Sequence, residues 1–397
     1  MTISTTLWFF YRSAVYCGVT GILLTWVPLF RLRKPVLITY WILNVLIMGT
    51  WFASEFSDHN WLVTTPVILR WILAIWQNAN MAFVPLAFLI WLYVFWRRRR
   101  NKPLQRIFWQ KPSVFLLPAM FVLAAFGVQE ALAPPVLRHY DVYLKTLPAG
   151  LDGMKIAQIT DSHVGDFIGS DDLKDAILRL NQEKPDLLVM TGDLLDDERQ
   201  LKSSFDALSL STAPLGVVGI LGNHEKYHGL DEILAEYHSK ANAVTIPPIR
   251  LLVDSHLTAN YHGTDFAIAG VDYPSPPNSR KPLKHIRFDD FMRRSAAHAF
   301  HGISPDEWTL CLSHHPNFLF LSADYKVSLT LSGHTHGGQV LPLGYTVGRY
   351  AYDFKYLKGW FTERGSQLFV SVGMGQLWPF RLGVPKEIVT MTLHRQP

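Results

Sequence analysis

The 397-residue chain is 49% hydrophobic and carries 37 Lys and Arg against 32 Asp and Glu, a formal charge of +5. That length exceeds one ordinary core, and the hydrophobic share excludes a disordered or collagenous chain. The charge is unevenly divided: residues 1–145 hold 14 basic and 4 acidic side chains and ten of the 13 Trp, while 146–397 hold 23 basic and 28 acidic ones, so the half with globular patterning is acidic and a nucleic-acid-binding domain is excluded.

Four apolar segments, 13–30, 36–53, 66–96 and 113–133, come near or above the roughly 20 residues that cross about 30 Å of hydrocarbon as a helix. Their recurrence well past residue 30 argues against a cleavable leader. The loop after the first carries Arg31, Arg33 and Lys34, and the loop after the third carries Arg97, Arg98, Arg99, Arg100, Lys102, Arg106 and Lys111. Both loops are expected in the cytoplasm; the intervening one, with only Glu55 and Asp58, is expected outside. Four spans then place everything beyond Pro134 on the extracytoplasmic side. Arg70, Gln77, Asn78 and Asn80 form the polar cluster of the third segment and read as helix–helix or interfacial contacts. Residues 134–153 read as a linker opened by Pro134 and Pro135.

From Met154 the pattern changes to short apolar runs alternating with amphipathic stretches. Strands are predicted at 155–160, 187–191 and 215–221, followed by helices at 172–181, 201–210 and 230–238. Further strands follow at 251–255, 266–271, 310–313, 327–331, 368–372 and 388–393, with an exposed loop at 275–284. This is a layered α/β pattern. Cys17 and Cys311 cannot build a disulfide framework.

Five of these strands end in the same kind of residue. The ends read Asp161–Ser162–His163, Gly192–Asp193–Leu194–Leu195–Asp196, Gly222–Asn223–His224–Glu225, Ser313–His314–His315–Pro316 and Gly333–His334–Thr335–His336–Gly337–Gly338–Gln339. Ligands gather at the carboxyl ends of strands in α/β sheets, and Asp, His and Asn are the donors of hard and borderline divalent ions. One such block alone is an ordinary turn. Five in the same setting predict a metal site.

In these blocks, and in 356–359 and 381–388, the sequence resembles the calcineurin-like metallophosphoesterase superfamily, in particular the bacterial YkuE- and YaeI-like subgroup whose members include many-spanning transmembrane forms. The resemblance covers 155–393 and implies a four-layer β-sandwich flanked by helices, with two metals at one edge. It also implies one ion on Asp161, His163, Asp193 and His336 and a second on Asp193, Asn223, His314 and His334. Asp193 would bridge them, and His314 rather than His315 would be the ligand. Mn²⁺ leads the expectation, with Fe, Zn²⁺ or Mg²⁺ as alternatives. The implied reaction is hydrolysis of a phosphoester by a water that both ions acidify, without a covalent phosphoenzyme. His224 resembles the imidazole that assists the leaving group, and Asp196 the carboxylate that orients it. Arg381 is a candidate substrate contact with a structural salt bridge as the alternative, His228 is a second candidate contact, and Lys226, Tyr227 and Lys355 are candidate linings of the approach.

A domain tethered beside the bilayer meets lipid-borne substrates at high effective concentration. A lipid-linked or envelope phosphodiester or pyrophosphate is therefore expected, with the lipid bilayer as partner. Relatives that hydrolyse UDP-diacylglucosamine in lipid A synthesis offer an alternative, but that substrate is made inside the cell, against the expected topology. A non-catalytic receptor or scaffold with a retained metal site is a further alternative; such a site would need neither His224 nor Asp196. A transporter regulated by the domain would need polar residues through all four spans, and they are concentrated in one.

Overall fold

The computed structural model describes all residues except 1–4, 28, 56–66, 102–111, 166, 228–229, 243–247, 275–284, 342–354 and 397. The chain divides into two compact units, Met1–Leu132 and Ala133–Pro397.

The first unit is helical, with helices Thr5–Trp26, Lys34–Glu55, Val67–Arg99 and Ser113–Leu132. Among the described residues two helical segments are long and apolar enough to cross a membrane, Trp71–Arg99 and Ser113–Leu132; the apolar stretches Ala14–Trp26 and Lys34–Thr50 are shorter. The polar cluster of the third segment packs between helices. Asn80 Oδ1 lies 2.6 Å from the Tyr40 hydroxyl, Trp76 Nε1 donates to Asn44 Oδ1 at 2.7 Å, and Asn80 Nδ2 donates to the Trp76 carbonyl at 2.8 Å. The first two bonds join different helices, and the third lies within Val67–Arg99. The Arg70 side chain lies outside the described residues.

The second unit opens on a correction. Residues 134–153, expected to be a linker, contain strand β1 (Val136–Leu144), which pairs in parallel along its whole length with β12 (Glu387–Arg395). Val142 and Leu144 are buried in the core there. The partner strand lies at the other end of the chain, so local pattern could not reveal the pairing. Between them come β2 (Lys155–Ile159), β3 (Leu187–Thr191), β4 (Val217–Ile220), β5 (Ile249–Leu252), β6 (Ser255–Tyr261), β7 (Thr264–Val271), β8 (Thr309–Ser313), β9 (Leu329–Ser332), β10 (Gly359–Glu363) and β11 (Ser366–Val370).

They form two six-stranded mixed sheets, ordered β1-β12-β2-β3-β4-β5 and β10-β11-β9-β8-β7-β6. Side chains alternate across each strand, so one strand serves two cores. In β3, Leu187 and Val189 face the second sheet, packing with Ile268, Leu310 and Leu331. Leu188 and Met190 face the helices Ser170–Gln182 and Leu201–Leu208 through Leu173, Ile177 and Phe205. On the far side of the second sheet, Ala269, Val271 and Cys311 pack against Met292, Ala296 and Ala299 of the helix His285–Ala299. Helices, sheet, sheet and helices thus make four layers. Strands β2 to β4 and β7 to β9 run parallel within their sheets, and their carboxyl ends carry the site.

Candidate metal centre

The five strand-end blocks converge. Three groups of side chains offer ligand atoms within 4.8 Å of one another: Asp161, His163 and His336; His163, Asp193 and His224; and Asp193, His314 and His334. Asp161, His163 and Asp193 are 0%, 3% and 1% exposed, depths at which a lone carboxylate is costly.

Distances define two clusters that share Asp193. In the first, His163 Nε2 and His336 Nε2 are 3.1 Å apart, His336 Nε2 is 3.5 Å from Asp161 Oδ1, and His163 Nε2 is 3.7 Å from Asp193 Oδ2. In the second, His314 Nε2 is 3.1 Å from Asp193 Oδ2 while its Nδ1 donates to the Thr191 carbonyl at 2.7 Å. The latter bond holds the ring by its Nδ1 proton and turns Nε2 toward Asp193. His315 Nδ1 accepts the Asn317 N–H at 3.2 Å, and its ring lies 5.0 Å from that of His334.

These residues fit divalent ions. Asn223 Oδ1 is buried without a hydrogen-bond partner, and two imidazole nitrogens face one another at 3.1 Å. A cation between such lone pairs satisfies them together. The backbone supports this purpose: Asp161, His163, Asp193, His334 and His336 all have left-handed φ, between 46° and 75°. Non-glycine residues hold that conformation at a cost of about 1–3 kcal/mol each. Tight approach also explains two glycines. A Cβ on Gly222 would stand 2.2 Å from Asp193 Oδ1, and one on Gly333 2.2 Å from Asp161 Oδ2.

Charge is shared unevenly. Burial opposes ionisation of Asp193, yet the imidazoles of His314 and His224 hold its carboxyl well below the usual range. Burial likewise opposes a charged His224, but Asp196 and Asp193 raise it to about 10. The same contest leaves His314 at about 9, through Asp193. His334 and His336 are pushed down by burial and then by their cationic neighbours. Asp196 joins both histidine types, its Oδ1 being 2.5 Å from His224 Nδ1 and 2.9 Å from His163 Nδ1.

Residues 154–338 match the family of calcineurin-like phosphoesterases. The chain is 30% identical over 275 residues to the uncharacterized metallophosphoesterase YkuE of Bacillus subtilis (strain 168), covering 68% of this chain and 89% of that one. The chain belongs to the calcineurin-like phosphoesterases. Within that family it is YkuE-like, and it is a metal-dependent phosphoester hydrolase. An uncharacterized metallophosphoesterase of Aquifex aeolicus (strain VF5) is 29% identical over 285 residues, 69% of this chain and 98% of that one. A transmembrane protein with metallophosphoesterase domain from Bos taurus is 27% identical over 285 residues, 70% of this chain and 61% of that one.

Several residues of this phosphoesterase stand differently from their sequence reading. Arg381 is fully buried, and its guanidinium donates to the carbonyls of Val384, Val372 and Gly375 and lies 3.4 Å from His336 Nδ1. Through these three carbonyls it braces the loop behind His336. Lys226 is 3% exposed and paired with Asp272 at 2.5 Å, so it does not line the approach. Lys355 is exposed and pairs with Glu363 on β10. His228 and the Tyr227 side chain lie outside the described residues.

Two contributors escaped the sequence reading of roles. Glu225, 2% exposed, accepts the N–H groups of Asp193, Leu194 and Gly222 at 3.0, 2.6 and 2.7 Å. Its carboxylate builds the turn on which Asp193 sits, and its place directly after Gly222–Asn223–His224 was the available signal. Tyr273, two residues beyond β7, carried no signal at all.

Proposed function

We propose that this chain is a membrane-anchored phosphoesterase that uses two divalent ions, Mn²⁺ foremost among Mn²⁺, Fe, Zn²⁺ and Mg²⁺. Its substrate is a lipid-linked or envelope phosphodiester or pyrophosphate, on the extracytoplasmic side of a bacterial inner membrane. The observation that carries the reading is the pair of clusters sharing Asp193, with His224 and Asp196 beside them. Asp161, His163, Asp193 and His336 would hold one ion, and Asp193, Asn223, His314 and His334 the other. Such ions supply Lewis acidity toward phosphoryl oxygens and acidify an attacking water.

The chain's own residues do the rest. Asp196 holds Nδ1 of His224 and keeps that ring protonated, leaving Nε2–H to donate to the leaving oxygen. The His224 N–H donates to Asp193 Oδ1 at 2.8 Å, which ties the acid to the shared carboxylate. Cys311 is buried in β8 and Cys17 in the helical unit, so neither serves as nucleophile.

The anchor is proposed as four spans. The helices Thr5–Trp26 and Lys34–Glu55 have 22 residues each, about 33 Å at 1.5 Å per residue, which supports counting them with the two longer apolar segments. The name of the Bos taurus relative, a transmembrane protein, agrees with this anchor. Reporters fused after residue 397 test the orientation: a periplasm-active reporter should work and a cytoplasm-active one should stay silent, and the reverse pattern would reject it. For the chemistry, metal-stripped full-length protein in detergent should regain turnover of bis-p-nitrophenyl phosphate on adding Mn²⁺, exceeding turnover of p-nitrophenyl phosphate. No turnover with any of the four metals would reject the hydrolytic reading.

A further inference from the structure

Tyr273 lies two residues after Val271, the end of β7, and is 5% exposed. Its ring stands edge-on to those of His314 and His334, with centroids 5.7 and 5.2 Å away, and its hydroxyl is 3.3 Å from His334 Nε2. The backbone beneath it is held firmly. Lys226 Nζ donates to the Tyr273 carbonyl at 3.0 Å and to Asp272 Oδ2 at 2.5 Å, and Asp272 Oδ1 accepts the Tyr273 N–H at 2.8 Å. Lys226 belongs to the short helix Asn223–Tyr227, so the element that presents Asn223 and His224 also anchors the tyrosine.

A neutral imidazole has one N–H and one lone pair. When Nε2 carries the proton and gives it to a fixed acceptor, the lone pair sits on Nδ1 and the ring plane is set. Histidines that bind metals commonly rely on such an outer partner, and losing it costs about 10–100-fold in metal affinity. We infer that Tyr273 is a positioning residue: its hydroxyl accepts the Nε2–H of His334 and presents Nδ1 to the ion shared with Asp193, Asn223 and His314. This rests on the two-ion reading above. His163 of the other cluster has its own acceptor in Asp196, and Tyr273 stands against His314 and His334, so the effect of Tyr273 is confined to one ion.

The test is titration of metal-stripped full-length protein with Mn²⁺ by calorimetry, wild type against Tyr273→Phe, which keeps the ring against His314. The wild type should take up two ions. In the variant one step should weaken about 10–100-fold, with the other within about twofold and the melting temperature of the metal-free protein unchanged. Two unchanged steps, with or without a raised KM, would overturn the assignment, and so would equal weakening of both. A wild type that binds a single ion would overturn the two-ion reading and this proposal together, whereas two ions bound with the same two affinities in both proteins would overturn this proposal alone.

Discussion

The helical unit and the phosphoesterase unit both bury polar side chains, and they do so to opposite ends. In the helical unit Tyr40, Asn44, Trp76 and Asn80 close on one another and on backbone carbonyls. Thr20 Oγ1 and Gln77 Oε1 are left without partners there, but among the described residues every group of His and Asp close enough to share an ion lies in the other unit. At the strand ends the buried groups are held on left-handed backbone with lone pairs facing inward. The contrast separates two uses of the same residue types. In the helical unit the buried amides join helices or stand alone; at the strand ends carboxylates and imidazoles are grouped with their ligand atoms within 4.8 Å of one another.

Substitutions should sharpen that contrast, the largest effects falling at the open lone pairs. His224→Asn removes the proposed proton donor, and kcat should fall about 10²–10⁴-fold with metal uptake unchanged; loss of metal as well would show that His224 is a ligand. Asp196→Asn, which withdraws the carboxylate from both His163 and His224, should cost about 10–100-fold in activity, read from steady-state turnover of bis-p-nitrophenyl phosphate. Glu225→Gln places an amide against three N–H donors, and thermal unfolding of the full-length protein should register about 2 kcal/mol of destabilisation. In the helical unit, Asn80→Leu should cost only about 1 kcal/mol, followed by tryptophan fluorescence, since ten of the 13 Trp lie in residues 1–145. Its hydrolytic rate should stay within about twofold of wild type, and a larger change would mean that the polar cluster does more than join helices.

The legible parts of this molecule are those in which neighbours in sequence do the work. Each ligand block directly follows a strand whose apolar run marks it, so the site's membership could be read before the fold was known. Helices such as Ser170–Gln182, with Leu173, Ile177 and Leu180 on one face, were equally plain. What escaped was non-local or lacked a pattern. Strand β1 is stabilised by β12, some 250 residues away, and its outer residues alternate too weakly to announce a strand. The edge strands β6 and β10 are only half-buried along their length. Arg381 stayed open between a substrate contact and a structural salt bridge because an arginine's partners cannot be seen in sequence, and here they include three backbone carbonyls.

Asp193 is the hinge of the account, because both clusters depend on its one carboxylate. The most direct measurement is elemental analysis of metal bound per chain after equilibration with Mn²⁺, for wild type, Asp193→Asn and His336→Ala. The account predicts two ions in the wild type, fewer than one in Asp193→Asn, and one in His336→Ala, where only the first cluster is broken. Two ions retained by Asp193→Asn, or a single ion in the wild type, would contradict it.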